Sequence, residues 1–310
     1  MEGHQKNIIA LSLIKGIGAA FMKQNFDLLC SYKNNIEMLS GLSNKINSID
    51  LAENIIYADN IINECKINKI RILTIVDDDY PQKLLEIKDP PSVIYLKGNY
   101  SLLSKVIAII GTRKSTDLGN KIAAKLGTYF SQNWAICNGL VDGIDKNSVL
   151  INNEMVPNVI GILSGGLNYE NTSSKITKEL ASKVLTNNGL LISEQEPNKK
   201  EDQFSGSKAS RIQAGLSRGL ILIQSSVSGG SKYTLKSFSE LKRPIGVIAF
   251  EENLEYINSD EFSANRLLIA KSKEGLLKMC DIKKAENLKT SEIIKIASLE
   301  DYTIFEKSII

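Results

Sequence analysis

The chain has 310 residues, 43% apolar and 24% charged, enough for one large core with one or two small satellites. Its formal net charge of +3 makes the whole-molecule field weak, so any polyanion would have to meet a local cluster of cations. No stretch approaches the roughly 18 consecutive apolar residues of a membrane span, and Met1–Lys6 lack the layout of a signal peptide. A cytoplasmic protein that does not engage membranes is expected.

Residues 1–66 read as a small helical domain. Ile8, Ile9, Leu11, Leu13 and Ile14 recur at helical spacing, and Lys15-Gly16-Ile17-Gly18 breaks the pattern. Phe21, Phe26, Leu28 and Leu29 resume it. The break resembles half of a helix-hairpin-helix element, whose glycine amides can meet a phosphate, or it is simply the turn between two helices. Leu39, Leu42, Ile46 and Ile49 suggest a short helix or turn, and Leu51–Cys65 a longer amphipathic helix.

From Lys69 the texture changes. Ile70, Ile72 and Ile75 suggest a strand, Leu84-Leu85 a short helix, and Asp89-Pro90-Pro91 an extended lead into a strand at Val93–Leu96. Strand, turn and helix then alternate. Apolar runs at 106–110, 134–137, 159–163, 190–193, 219–223 and 245–249 read as six strands. Helices are expected at about Leu118–Phe130, near Asp145, over Ser173–Leu185, at Ala209–Leu216 and up to Leu241. Such alternation means βαβ units, so residues 67–280 are expected to form an α/β, Rossmann-like, doubly wound, mostly parallel sheet. The lysine-rich tail, 281–310, carries a hint of a helix at Ile293, Ile294 and Ile296.

In such a sheet, ligands bind beyond the carboxyl ends of the strands. The turns there are small and glycine-rich: Gly111-Thr112-Arg113-Lys114-Ser115, Asn138-Gly139-Leu140, Ser164-Gly165-Gly166 and Ser228-Gly229-Gly230-Ser231. Together they suggest a phosphate-binding rim of backbone amides, although glycine at any one of them would also serve a tight turn. Arg113, Lys114, Lys175, Lys208, Arg211, Arg218 and Lys232 add positive charge near this edge, the last two read as solvated helix-face residues. Arg113 is a candidate for a phosphate or for an ion pair with Glu194 or Asp145. Phe204 is a candidate to stack on a base or to anchor its loop on the core.

Neither G-x-G-x-x-G nor G-x-x-x-x-G-K-[ST] is present, which argues against a dinucleotide cofactor and P-loop hydrolysis. His4 is the only histidine, and Cys30, Cys65, Cys137 and Cys280 form no CxxC pair. No metal, disulfide framework or cofactor is expected, and an enzyme would have to use carboxylates such as Asp142, Asp145 or Glu194. Of these, Glu194 is read first as the ion-pair partner of Arg113.

The order of these motifs resembles the DprA/Smf family over roughly residues 70–275. Ile109-Ile110-Gly111-Thr112-Arg113 with Ser115 and Gly119, Asn138–Asp145, Gly189–Glu194, Arg211–Ser217, Ser228–Ser231 with Thr234, and Asn265–Leu268 are similar to its elements in order and spacing. The resemblance implies a non-enzymatic protein that binds single-stranded DNA, dimerises and hands the strand to a recombinase. It implies a nucleic-acid site at Gly111, Thr112, Arg113, Ser115, Gly139, Lys175, Phe204, Lys208, Arg211, Gly229 and Asn265, with Arg211 and Asn265 shaping its floor. The chain departs from the family where FPxRNR would stand: Phe204–Arg211 carries two extra residues, with Ala209 and Ser210 in place of the first Arg and the Asn. A sensor or hydrolase of small nucleotides using the same pocket, or a protein-interaction scaffold without a ligand, are the alternatives.

Overall fold

The computed structural model describes residues 2–250 and 259–309. The helical N-terminus is built as expected, from α1 (Glu2–Ser12), α2 (Ala19–Gln24), α3 (Phe26–Tyr32), α4 (Ile36–Ser40) and α5 (Ser48–Ile67). Gly18 caps α2, so the glycine break is the turn between α1 and α2. Asn47 starts α5 by accepting a hydrogen bond from the Asp50 amide at 2.8 Å. Helix α1 packs on α5 and on the first two strands, β1 (Arg71–Thr74) and β2 (Val93–Gly98), which flank the short α6 (Gln82–Leu85).

The remaining elements alternate. In chain order they are β3 (Val106–Ile110), α7 (Asp117–Phe130), β4 (Ala135–Asn138), α8 (Ile144–Val149), a small β5–β6 hairpin (Leu150–Ile151 and Glu154–Met155), β7 (Val159–Ile162), α9 (Tyr169–Thr172), α10 (Lys175–Thr186) and β8 (Leu190–Ser193). Then follow α11 (Ser205–Leu216), β9 (Gly219–Leu222), α12 (Ser231–Ser239), β10 (Ile245–Ile248), α13 (Ser263–Met279, broken at Ser272), β11 (Ile293–Ile296) and α14 (Leu299–Ile309). Nine strands form one sheet in the order β1-β2-β8-β7-β4-β3-β9-β10-β11. From β8 to β11 all neighbours are parallel, and β1 and β2 join antiparallel at the β8 edge.

Both faces of the parallel strands from β8 to β10 are buried, which is why they read as continuous apolar runs. In β3, Ile107 and Ile109 face the core under α7, α8, α10 and α14, while Val106, Ala108 and Ile110 face the core under α11, α12 and α13.

The reading of Ile293, Ile294 and Ile296 as a helix is corrected. They form β11, paired with β10 in register from Ile245↔Ile293 to Ile248↔Ile296. A β-branched run of four residues is too short to show a helical period, and its stiff side chains suit the pleated sheet. Helix α14 then folds back on the sheet, burying Phe305 and Ile309, and Glu306 accepts a hydrogen bond from the Trp134 indole at 2.8 Å. The β5–β6 hairpin carries no turn signal that the sequence reading used.

Candidate nucleic-acid interface

Strand order reverses beside β3: the chain winds outward through β4, β7 and β8, then returns to β9 on the other side. A crevice must open at such a switch point, because the connections after β3 and β9 leave in opposite directions. A cavity of about 700 Å³ lies there, at the carboxyl ends of the strands.

The turn after β3 forms its wall with Gly111, Thr112, Arg113 and Lys114. That turn is pinned from both sides: the Thr112 amide donates to the Gln224 carbonyl at 2.8 Å, and the Ile144 amide donates to the Thr112 carbonyl at 3.1 Å. Two glycines permit this closeness. A Cβ on Gly111 would meet Ile144 at 2.4 Å, and Gly143, at φ +80°, would place one 2.3 Å from the Thr112 carbonyl oxygen. Beyond β4, buried Asn138 locks the next turn, its amide donating to the Asp145 carbonyl at 3.0 Å and to Ser148 Oγ at 3.1 Å. Leu140 is held there at φ +51°, an uncommon conformation for a bulky residue.

Arg113 and Lys114 are exposed and make no ion pair with any described residue. The same cavity is lined by the N-terminus of α12, whose cap, Gly230, supplies no side-chain oxygen. Ser231, its first residue, lines the cavity and is 6% exposed, and its Oγ has no hydrogen-bond partner among the described residues. The Lys232 and Tyr233 amides already donate to the Gly229 and Gly230 carbonyls, so Ser231 is the group this helix start offers an anion, with the helix dipole behind it. The start of α11 is less available, because the Asp202 carboxylate already accepts from the amides of Phe204 and Ser205. Phe204 and Tyr233 are 62% and 49% exposed on the rim, so Phe204 is not a core anchor.

Among the described residues, one carboxylate faces this cavity. Asp145 is 6% exposed and accepts from the Gly139 amide at 2.8 Å. Burial pushes its carboxyl up to about 7, against the lowering effects of the Gly139 and Val141 amides and of Arg113. The other two candidate acids are engaged elsewhere: Asp142 pairs with Lys146 at 3.6 Å, and Glu194 with Arg211 at 2.5 Å. The expected Arg113–Glu194 pair is therefore corrected. Strands β7 and β4 intervene between β8 and β3, which separates the two residues by roughly 14 Å at the usual strand spacing.

Of the residues picked from the sequence, Gly111, Thr112, Arg113, Gly139 and Phe204 line this cavity. Lys208 and Arg211 line a different cleft, of about 620 Å³, where α1 and α2 approach β2. Three carboxylates there, Asp89, Glu194 and Glu196, offset three cations, Lys199, Lys208 and Arg211, so it holds no excess positive charge for a polyanion. Arg211 also bonds Asp89 at 3.1 Å and is a structural cation, not the floor of the switch-point cavity. Asn265 is likewise corrected: it is 1% exposed, accepts from the Ser225 amide and donates to the carbonyls of Ile223 and Ile248. It clamps the ends of β9 and β10 together and presents nothing to a ligand.

Lys175 is exposed on the first turn of α10, outside both linings. Ser115 turns its hydroxyl to Asn120 at 2.5 Å, and Gly229 lies one residue short of the wall that Gly230 and Ser231 form. Lys114, Gln213, Ser231, Tyr233 and Thr234 line the cavity and were not selected. Ser231 and Thr234 were legible in the Ser-Gly-Gly-Ser run and its threonine; Tyr233 and Gln213 carried no signal.

Fold and site define a doubly wound, mostly parallel α/β protein with a cavity at its switch point that two cations and one buried carboxyl group line. The family model for DNA recombination-mediator protein A matches residues 71–285, more than two thirds of the chain. The chain belongs to that family, the DprA/Smf proteins.

Among curated relatives, it is 31% identical over 179 residues to the DNA processing protein DprA of Bacillus subtilis, covering 57% of this chain and 59% of that one. It is 30% identical over 181 residues to DprA of Streptococcus pneumoniae, covering 58% and 63%. The chain thus spans less than two thirds of the length of these relatives. Among solved structures, DprA from Streptococcus pneumoniae superposes with a TM-score of 0.69 at 22% identity, covering 98% of both chains. A structure of DprA from Helicobacter pylori, whose subject is its single-stranded DNA binding mode, superposes with a TM-score of 0.57 at 20% identity, covering 77% of this chain and 97% of that one. No described helix is long and apolar enough to cross a membrane.

Proposed function

We propose that this protein binds single-stranded DNA in the switch-point cavity, without a cofactor, and acts in DNA recombination by holding the strand for transfer to a recombinase. One observation carries the reading: two exposed cations, Arg113 and Lys114, that make no ion pair with any described residue line one cavity together with the start of α12, which no side chain caps. Backbone phosphates suit the cations and amides, and the rings of Phe204 and Tyr233 give bases a face on which to stack. The Helicobacter pylori relative's single-stranded DNA binding supports the ligand class. Ala209 and Ser210 line the cavity where the family has Arg and Asn, so grip here rests more heavily on the β3 turn. A homodimer, presenting two such cavities to one strand, completes the proposal.

The test is an anisotropy titration of labelled oligothymidine over a range of salt. Arg113→Ala should weaken binding about tenfold or more, as for the loss of a charged hydrogen bond. It should also flatten the slope of log affinity against log salt by about 0.7, one single-strand phosphate contact. An unchanged slope would remove Arg113 from the interface.

A second reading, a small-nucleotide sensor or hydrolase, is favoured by Asp145 alone, a carboxyl at about 7 in the cavity, suited to general acid or base work at neutral pH. Release of free base from a mononucleotide, lost in Asp145→Asn, would support it over polymer binding.

A further inference from the structure

We propose that Asp145 takes up a proton when the switch-point cavity captures its anionic ligand, so that affinity for a single strand falls as the pH rises through neutrality. The inference rests on the reading of the cavity as a strand-binding site and names how that site is regulated.

The geometry poses the problem. A cavity built to hold phosphate has a carboxyl group in its lining, 6% exposed, with the Gly139 amide 2.8 Å from Oδ2. Asp145 makes no ion pair with any described residue. Arg113 is the cation that acts on it, and Arg113 is also the group a phosphate would claim. Once a phosphate neutralises that guanidinium, an ionised Asp145 would face a like charge in a poorly solvated site, with its one compensating cation engaged. Protonation removes the repulsion and turns an acceptor into a donor toward a phosphate oxygen.

From the β3 turn come the cations Arg113 and Lys114. From β4, buried Cys137 has its thiol pushed well above its usual range. From α11 and α7 the neutral groups Gln213 and Asn120 approach the same segment, and on that segment Asp142 and Lys146 pair with each other at 3.6 Å. Tyr233 faces the cavity from α12. The chain's one histidine, His4, is bound to Asp77 at 2.6 Å on α1, away from this cavity. Burial already holds Asp145 near neutrality without a ligand, so a modest added repulsion is enough to tip it.

The experiment uses the full chain and an oligothymidine, whose phosphates do not titrate in this range. Affinity measured at fixed salt at pH 6.5 and 8.0 should drop roughly tenfold for the natural protein, the limit being tenfold per pH unit for one linked proton. Asp145→Asn should bind equally at both. Calorimetry of the natural protein in two buffers of different ionisation enthalpy gives the proton count without any substitution. An uptake of about half to three quarters of a proton at pH 7.5 is expected, since a carboxyl at about 7 is already partly protonated there. Equal affinity at both pH values with zero proton uptake would overturn the inference and leave strand binding intact. Absence of binding at either pH would overturn both, and a pH dependence that persists in Asp145→Asn would assign the proton elsewhere.

Discussion

Arg113 and Arg211 would look alike in a charge count, yet their surroundings give them opposite work. Arg113 ends on solvent at the cavity wall with no carboxylate partner among the described residues. Arg211 is held by Glu194 and Asp89, with 12% of its side chain exposed and 12% of that of Glu194. Removing one partner of such a pair leaves the other charge buried, a penalty of about 3–5 kcal/mol in measured cases. Arg211→Ala is therefore expected to lower the melting temperature markedly while leaving the salt slope of strand binding unchanged. Arg113→Ala should do the reverse. Thermal unfolding and salt titration of both variants separate the two roles, and a normal melting temperature for Arg211→Ala would contradict the assignment.

The elements explain why the cavity exists as well as why its residues are glycine. Helix α8 starts at Gly143 in a left-handed conformation, with the backbone of Thr112 and Arg113 too close for a side chain. The start of α8 therefore fixes the β3 turn, and through it the place of Arg113. Gly143→Ala would need both strained backbone and a shift of the turn. A loss of about 2 kcal/mol or more is expected, read as a lower midpoint in urea, with weaker strand binding even where the protein is folded. A stable variant with full affinity would show that the turn is held by other means. At this scale the sequence was a good guide to the parallel strands, because each is buried on both faces and reads as an unbroken apolar run. It misled at β11, where an edge strand of four residues resembles part of a helix until its partner β10 is known. Asn265 and Arg211 were legible as motif residues, but their partners lie 40 and 17 positions away, and no local pattern says which way such side chains turn. Arg113 was easier, since a residue directly after a buried strand has only the carboxyl edge of the sheet to occupy.

For the whole molecule, a net charge of +3 leaves little general attraction for DNA. On the proposed reading, binding comes from one place where cations, amides and aromatic rings converge, and the strand order puts such a cavity beside β3 and β9. The neighbouring cleft beneath the N-terminal helices is of similar size, but its charges cancel. Photo-crosslinking with an oligonucleotide carrying iododeoxyuridine, mapped by peptide mass, distinguishes the two most directly. The account predicts adducts on Phe204 and Tyr233, lost in competition with unlabelled oligothymidine and reduced in Arg113→Ala. Adducts confined to the N-terminal helices or to α14, from a strand that binds with undiminished affinity, would contradict it.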